Sequence, residues 1–236
     1  MPRNHVLLDG TTPTLADAIR NASWARDLTA AELARVEADA HERSFASGTC
    51  VFRRGEVPRH WLGVVSGLVK VSSESPKGKA ITFTGVAAGG WLGESALLRT
   101  GPRKADVVAV RASRVALVPR ETFHWLLDRS IAFNRYLVQQ LNERVGVYFD
   151  SVESDRLGDS EVRIAHCIAS LFNPVLNPGM SSELPLSQQE IGLLSGTSRQ
   201  RTNQALHALE RRGLVGVAYG NVTVSDPDAL RRFHGA

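Results

Sequence analysis

Sulfur ligands are scarce in this chain of 236 residues, whose two cysteines, Cys50 and Cys167, lie far apart and form no CxxC pair. A cysteine-held zinc finger or iron–sulfur cluster needs more thiols than that. Both are expected free and buried in a reducing cytoplasm. No apolar run is long enough to span a bilayer and nothing at the N-terminus reads as a secretory signal, so no membrane partner is expected. Catalytic patterns are equally thin. There is no Ser-His-Asp order and no metal-ligand spacing, and the run Gly89-Gly90-Trp91-Leu92-Gly93 lacks the lysine of a P-loop. No enzyme, no catalytic residue and no metal site is expected.

What remains is ordinary for a soluble globular protein: 43% hydrophobic residues, 22% charged and a net charge of +4. The length allows one large or two modest domains. The mild positive charge is compatible with a nucleic-acid partner without requiring one.

Residues 1–27, with Pro2, Gly10 and Pro13 among polar neighbours, read as a flexible leader. Thr29 with Glu32 predicts a helix start, capped by the hydroxyl and stapled by Leu28 against Leu33. From Gly48 to Pro119 short β-type runs alternate with glycine turns: 61–65, 68–71, 81–84, 107–110 and 115–118, with Pro76-Lys77-Gly78 as one turn. That rhythm predicts a jelly-roll barrel, so residues 28–130 are taken as one β-roll domain. Residues 131–157 predict one long helix. Ile131, Val138, Val145 and Val152 occupy heptad position a, and Asn134, Leu141 and Tyr148 occupy d. This seam predicts a two-stranded homodimer interface, with Asn134 as a register-setting polar residue. Leu157-Gly158-Asp159 breaks the helix, Asp159 or Ser160 caps the next one, and residues 158–236 form a last domain.

That last domain carries the most specific signal. Ser187 with Glu190 is a capping box for a short helix, and Gly196 suits a tight turn. Thr197 or Ser198 caps a second helix whose buried stripe is Thr202, Ala205, Leu206 and Leu209. Its other face offers Arg199, Gln200, Arg201, Asn203 and Gln204. Arginine pairs with guanine and Gln or Asn with adenine in the major groove, while Ser198 and Arg201 suit phosphates. Residues 214–219 and 222–224 around Gly220-Asn221 predict a hairpin, the wing of a winged helix-turn-helix. The fold class is therefore α+β: jelly-roll β-roll, long helix, winged helix.

The motifs Gly55-Glu56, Ser66-Gly67-Leu68-Val69-Lys70-Val71, Gly93-Glu94-Ser95-Ala96-Leu97 and Ser187 to Leu214 together resemble the CRP/FNR family of transcription regulators, over roughly residues 28 to 230. The resemblance implies a cytoplasmic homodimer that binds an inverted repeat in double-stranded DNA, works with RNA polymerase and answers to an effector in the roll. It places the effector at Gly93, Glu94 and Ser95, at Arg103, Lys104 and Ala105, and at Tyr148 and Phe149 on the long helix. The family's Arg-Ser/Thr-Ala phosphate cradle falls on Lys104-Ala105-Asp106, where a hydroxyl is missing and a carboxylate stands beside the expected anion. Cyclic AMP is thus not the expected effector. A cyclic dinucleotide suits a basic, aromatic-lined surface. Haem, with His60, His124 or His166 as ligand, is another option, and so is the absence of any small molecule. Gln200 and Gln204 stand where the family has an acidic residue and a second base-reading arginine, which predicts altered half-sites. The competing reading is a nucleotide-binding signalling module whose winged helix makes protein contacts.

Overall fold

The computed structural model describes residues 13–74, 80–157, 160–180 and 182–235. Residues 1–12, the Pro76-Lys77-Gly78 turn and the Asp159 cap lie outside the described residues. The chain begins with α1 (Leu15–Arg20), a 3-10 turn (Ser23–Ala25) and α2 (Ala30–Asp39). Thr14 with Asp17 and Thr29 with Glu32 each close a capping box, so both helices start where a hydroxyl meets an acidic residue three positions on.

Two four-stranded antiparallel sheets follow, built from β1 (His41–Phe45), β2 (Cys50–Phe52), β3 (His60–Ser66), β4 (Leu68–Glu74), β5 (Ala80–Ala87), β6 (Trp91–Leu92), the short α3 (Glu94–Leu97), β7 (Asp106–Ala109) and β8 (Ser113–Pro119). One sheet runs β1-β8-β3-β6 and the other β2-β7-β4-β5. Phe52, Leu62, Val64, Val69, Val86, Val107 and Val115 pack together as a core drawn from both sheets, which makes this a jelly roll.

α4 (Arg120–Arg129) and α5 (Ile131–Leu157) close over the roll. The chain's few aromatics gather beneath them: Trp24, Trp61, Trp91, Phe123 and Phe133 form one buried cluster. Trp24 meets Trp91 edge-on at 5.0 Å and Trp61 at 5.2 Å. The cluster requires glycine at position 63, because a Cβ there would stand 2.6 Å from the Trp91 ring. It also corrects the leader. Residues 13–27 are not a flexible leader but part of the core, with Ile19 and Trp24 almost wholly buried.

The C-terminal part holds α6 (Ser160–Leu171), β9 (Glu183–Leu184), α7 (Gln188–Ser195), α8 (Arg199–Arg211), β10 (Val215–Ala218), β11 (Asn221–Val224) and α9 (Pro227–Arg231). The strands pair in the order β10-β11-β9. Ile164, Ile168, Ile191, Leu206, Leu209 and Val222 form its core, which extends onto Leu68, Ala87 and Val110 of the roll. Polar contacts reinforce that seam: Thr82 Oγ1 donates to the Leu193 carbonyl at 2.7 Å, and the Ala87 N–H donates to Asn177 Oδ1 at 2.9 Å. Burial pushes the Cys167 thiol up to about 12, so it serves as a small apolar group.

Candidate DNA-reading face and effector cavity

The two helices of the reading motif form for local reasons. Ser187 Oγ accepts the Glu190 N–H at 3.3 Å while the Ser187 N–H donates to Glu190 Oε2 at 2.7 Å. Gly196 ends α7 at φ 65°, a left-handed conformation that costs a glycine nothing. Ser198, rather than Thr197, is the cap of α8, accepting from the Arg201 N–H. Thr197 joins a chain of hydroxyls with Ser195 and Thr202, each link 2.8 Å, which pins the turn between the helices.

The side chains predicted to read DNA divide into two groups. Arg199, Gln200, Arg201 and Gln204 are exposed on one side of α8, and among the described residues their side chains have no hydrogen-bond or ion partner. Asn203 is different: it is half-buried, and its amide donates to Gln188 Oε1 at 3.1 Å, bracing α8 on α7. Ser187 and Thr197 are likewise occupied by the internal bonds described above. The hairpin turn falls on Tyr219-Gly220, one residue earlier than Gly220-Asn221, and leaves the Tyr219 ring wholly exposed at the wing tip. Glu210 ties that wing to α8 by accepting the Val217 N–H at 2.9 Å.

In the roll, a cavity of about 650 Å³ opens between β4, β5, α3, the start of β7 and α5. Gly93, Glu94, Ser95, Arg103, Lys104, Ala105 and Tyr148 all line it, as the resemblance implies. Two expected features differ. Phe149 does not line the cavity; it stands 71% exposed on the neighbouring face of α5. The Asp106 carboxylate turns away and accepts the Arg54 N–H at 2.8 Å, so no carboxylate from that position faces an anion in the cavity.

Sequence reasoning missed Arg144. Four residues before Tyr148 on the same helix face, it reaches into the cavity wall, where its Nε meets Glu94 Oε1 at 2.7 Å. Its Nη2 and the Gln140 amide both donate to the Trp91 carbonyl. The i, i+4 spacing of Arg144 and Tyr148 was the available signal. Glu94 is 1% exposed, and among the described residues its Oε2 has no partner. A buried carboxylate oxygen without a donor is costly, and a ligand O–H or N–H would satisfy it.

Along α5, Ile131, Val138, Val145, Val152 and Tyr148 form an exposed apolar stripe, with Phe149 beside it and Leu141 half-buried. The Asn134 amide donates to the Leu127 and Ser130 carbonyls, closing the α4–α5 corner. His166 engages both ring nitrogens, with Ser154 at 2.6 Å and the Phe233 carbonyl at 2.9 Å, and His60 and His124 lie elsewhere, on β3 and α4. Among the described residues no helix is long and apolar enough to cross a membrane.

Comparison with known proteins agrees with this geometry. Residues 42–130 match the cyclic nucleotide-binding domain and residues 162–233 the Crp-like helix-turn-helix domain. The chain is 26% identical over 192 residues to the CRP-like cAMP-activated global transcriptional regulator of Mycobacterium tuberculosis, covering 80% of this chain and 85% of that one. It shares its fold with FixK2 from Bradyrhizobium japonicum, at TM-score 0.66 and 19% identity over 84% of this chain and 98% of the other. It shares it too with the c-di-GMP responsive global regulator CLP of Xanthomonas campestris, at TM-score 0.58 and 23% identity over 84% and 100%. With a cyclic nucleotide-binding roll leading through one long helix into a Crp-like winged helix-turn-helix, the chain belongs to the CRP/FNR family of transcription regulators.

Proposed function

We propose that the protein acts in the cytoplasm as a homodimer that binds an inverted repeat in double-stranded DNA and works with RNA polymerase. A nucleotide held in the roll would set its DNA affinity. The observation that carries this is the polar face of α8, where two arginines and two glutamines stand unpaired among the described residues on a helix locked by caps and a wing. Two such helices, one per protomer, would enter successive major grooves about 34 Å apart. The dimer is supported by the α5 stripe, in which Ile131 is 71% and Val138 68% exposed, too much aliphatic surface in line for a helix meant for water. The prediction is a dimer by sedimentation that Val138→Glu/Val145→Glu converts to folded monomer; a dimer unchanged by that variant contradicts the interface.

For the effector, the Glu94 oxygen suits a sugar hydroxyl, and Arg103 and Lys104 supply the cationic side. Ala105 gives no hydroxyl to a phosphate, and the Tyr148 ring lines the cavity as an aromatic surface for a base to stack on. We therefore infer a nucleotide other than cyclic AMP. A cyclic dinucleotide fits the aromatic rim and is the ligand class named for the Xanthomonas relative. Calorimetry with cyclic AMP and cyclic di-GMP, followed by DNA titrations with each, tests this. Micromolar binding of cyclic AMP that also tightens DNA binding would overturn it. A DNA affinity insensitive to salt would instead favour a signalling module whose winged helix contacts proteins.

A further inference from the structure

A second recess of about 480 Å³ lies at the end of the roll formed by β1, β2 and the start of β3. Arg43, Arg59 and Arg103 bring three guanidinium groups to its wall, His41 and His60 add two imidazoles, and Glu56 is the one carboxylate. The imidazoles meet edge to face at 5.2 Å. Arg103 is the buried member. It is 5% exposed, its guanidinium is stacked 3.8 Å over the Phe52 ring, and one nitrogen donates to the His60 carbonyl at 2.9 Å. Among the described residues no carboxylate forms an ion pair with it. Burial with only distant help from Glu56 pushes its proton affinity down to about 10. His60 is held below its ordinary value by burial and then by His41, Arg103 and Arg43.

A recess that gathers donors and like charges around a desolvated arginine is incomplete as it stands, since each cation raises the cost of the others. An anion that accepts from several of them at once would turn that repulsion into charge-assisted hydrogen bonding, and a phosphate offers the right number of acceptor oxygens. We propose that this recess is a second ligand site, distinct from the effector cavity, that takes a small phosphate-bearing anion between Arg43, Arg59, Arg103 and His60. Arg103 lines both cavities, so the two sites share one wall.

Inorganic pyrophosphate is the probe, titrated calorimetrically into the full-length protein. The expected result is saturable binding of one ion per chain, with the imidazole signals of His41 and His60 shifting in step. Arg43→Gln/Arg59→Gln changes two exposed side chains and should weaken binding about tenfold or more. Lys104→Gln, which touches only the effector cavity, should leave it within about twofold. Absence of saturation, equal affinity in the double variant, or loss in Lys104→Gln instead would each overturn the proposal. So would binding of an acidic peptide in place of pyrophosphate, which would make the recess a protein contact.

Discussion

At the wall of the effector cavity two arginines are kept out of water: Arg144 is 8% exposed and paired with Glu94, and Arg103 is stacked over the Phe52 ring. At the head of α8 the same residue type is left in solvent, with Arg199 and Arg201 exposed and, among the described residues, unpaired. The first arrangement makes charge part of the packing, so a ligand that reaches Glu94 acts on the helix that carries Arg144. The second leaves charge free for a partner, at little cost to the fold. Stability and DNA affinity should therefore separate cleanly between the two regions.

The largest expected effect comes from Arg144→Met, which strands the Glu94 carboxylate inside the protein. Denaturant unfolding should show a loss of about 3–5 kcal/mol, with Glu94→Gln/Arg144→Met recovering most of it. A single variant as stable as the parent would break the comparison. Next, Arg201→Ala should leave the unfolding midpoint unchanged but weaken DNA of any sequence by about 1–3 kcal/mol, with the salt slope smaller by about 1. Equal loss of stability and affinity would show that this arginine belongs to the packing after all. Smallest is Ser187→Ala, expected to cost about 1 kcal/mol of stability. Its capping partner Glu190 also holds Arg111 of the roll through Oε1 at 2.7 Å, so melting should report both regions at once.

What was legible in the sequence was whatever a local rule decides. The Thr29 and Ser187 capping boxes, the glycine turns of the roll and the apolar stripe of α5 each follow from spacing of a few residues. What was hidden depends on neighbours distant in the chain. β1 reads His41-Glu42-Arg43-Ser44-Phe45, polar along most of its length, because it is an edge strand that pairs only with β8. Trp24 sits among alanines and polar residues, and its burial is explained by Trp61, Trp91 and Phe133, distant in the chain. The reading face divided in the same way. Periodicity separates Thr202 and Leu206 from Arg199, but the bond from Asn203 to Gln188 needs the crossing of α7 and α8. Asp106 and Phe149 turned out of the cavity by strand register and helix phase, which no motif records.

The central claim is that the exposed tip of α8 meets base edges in the major groove. Methylation interference on a site selected from random DNA tests it most directly, since a methyl group at guanine N7 occupies the position a bidentate arginine needs. The account predicts one guanine per half-site whose methylation blocks the parent protein and ceases to matter in Arg199→Ala. Binding indifferent to every major-groove methyl group, or an Arg199→Ala variant with the parent's interference pattern, would contradict it.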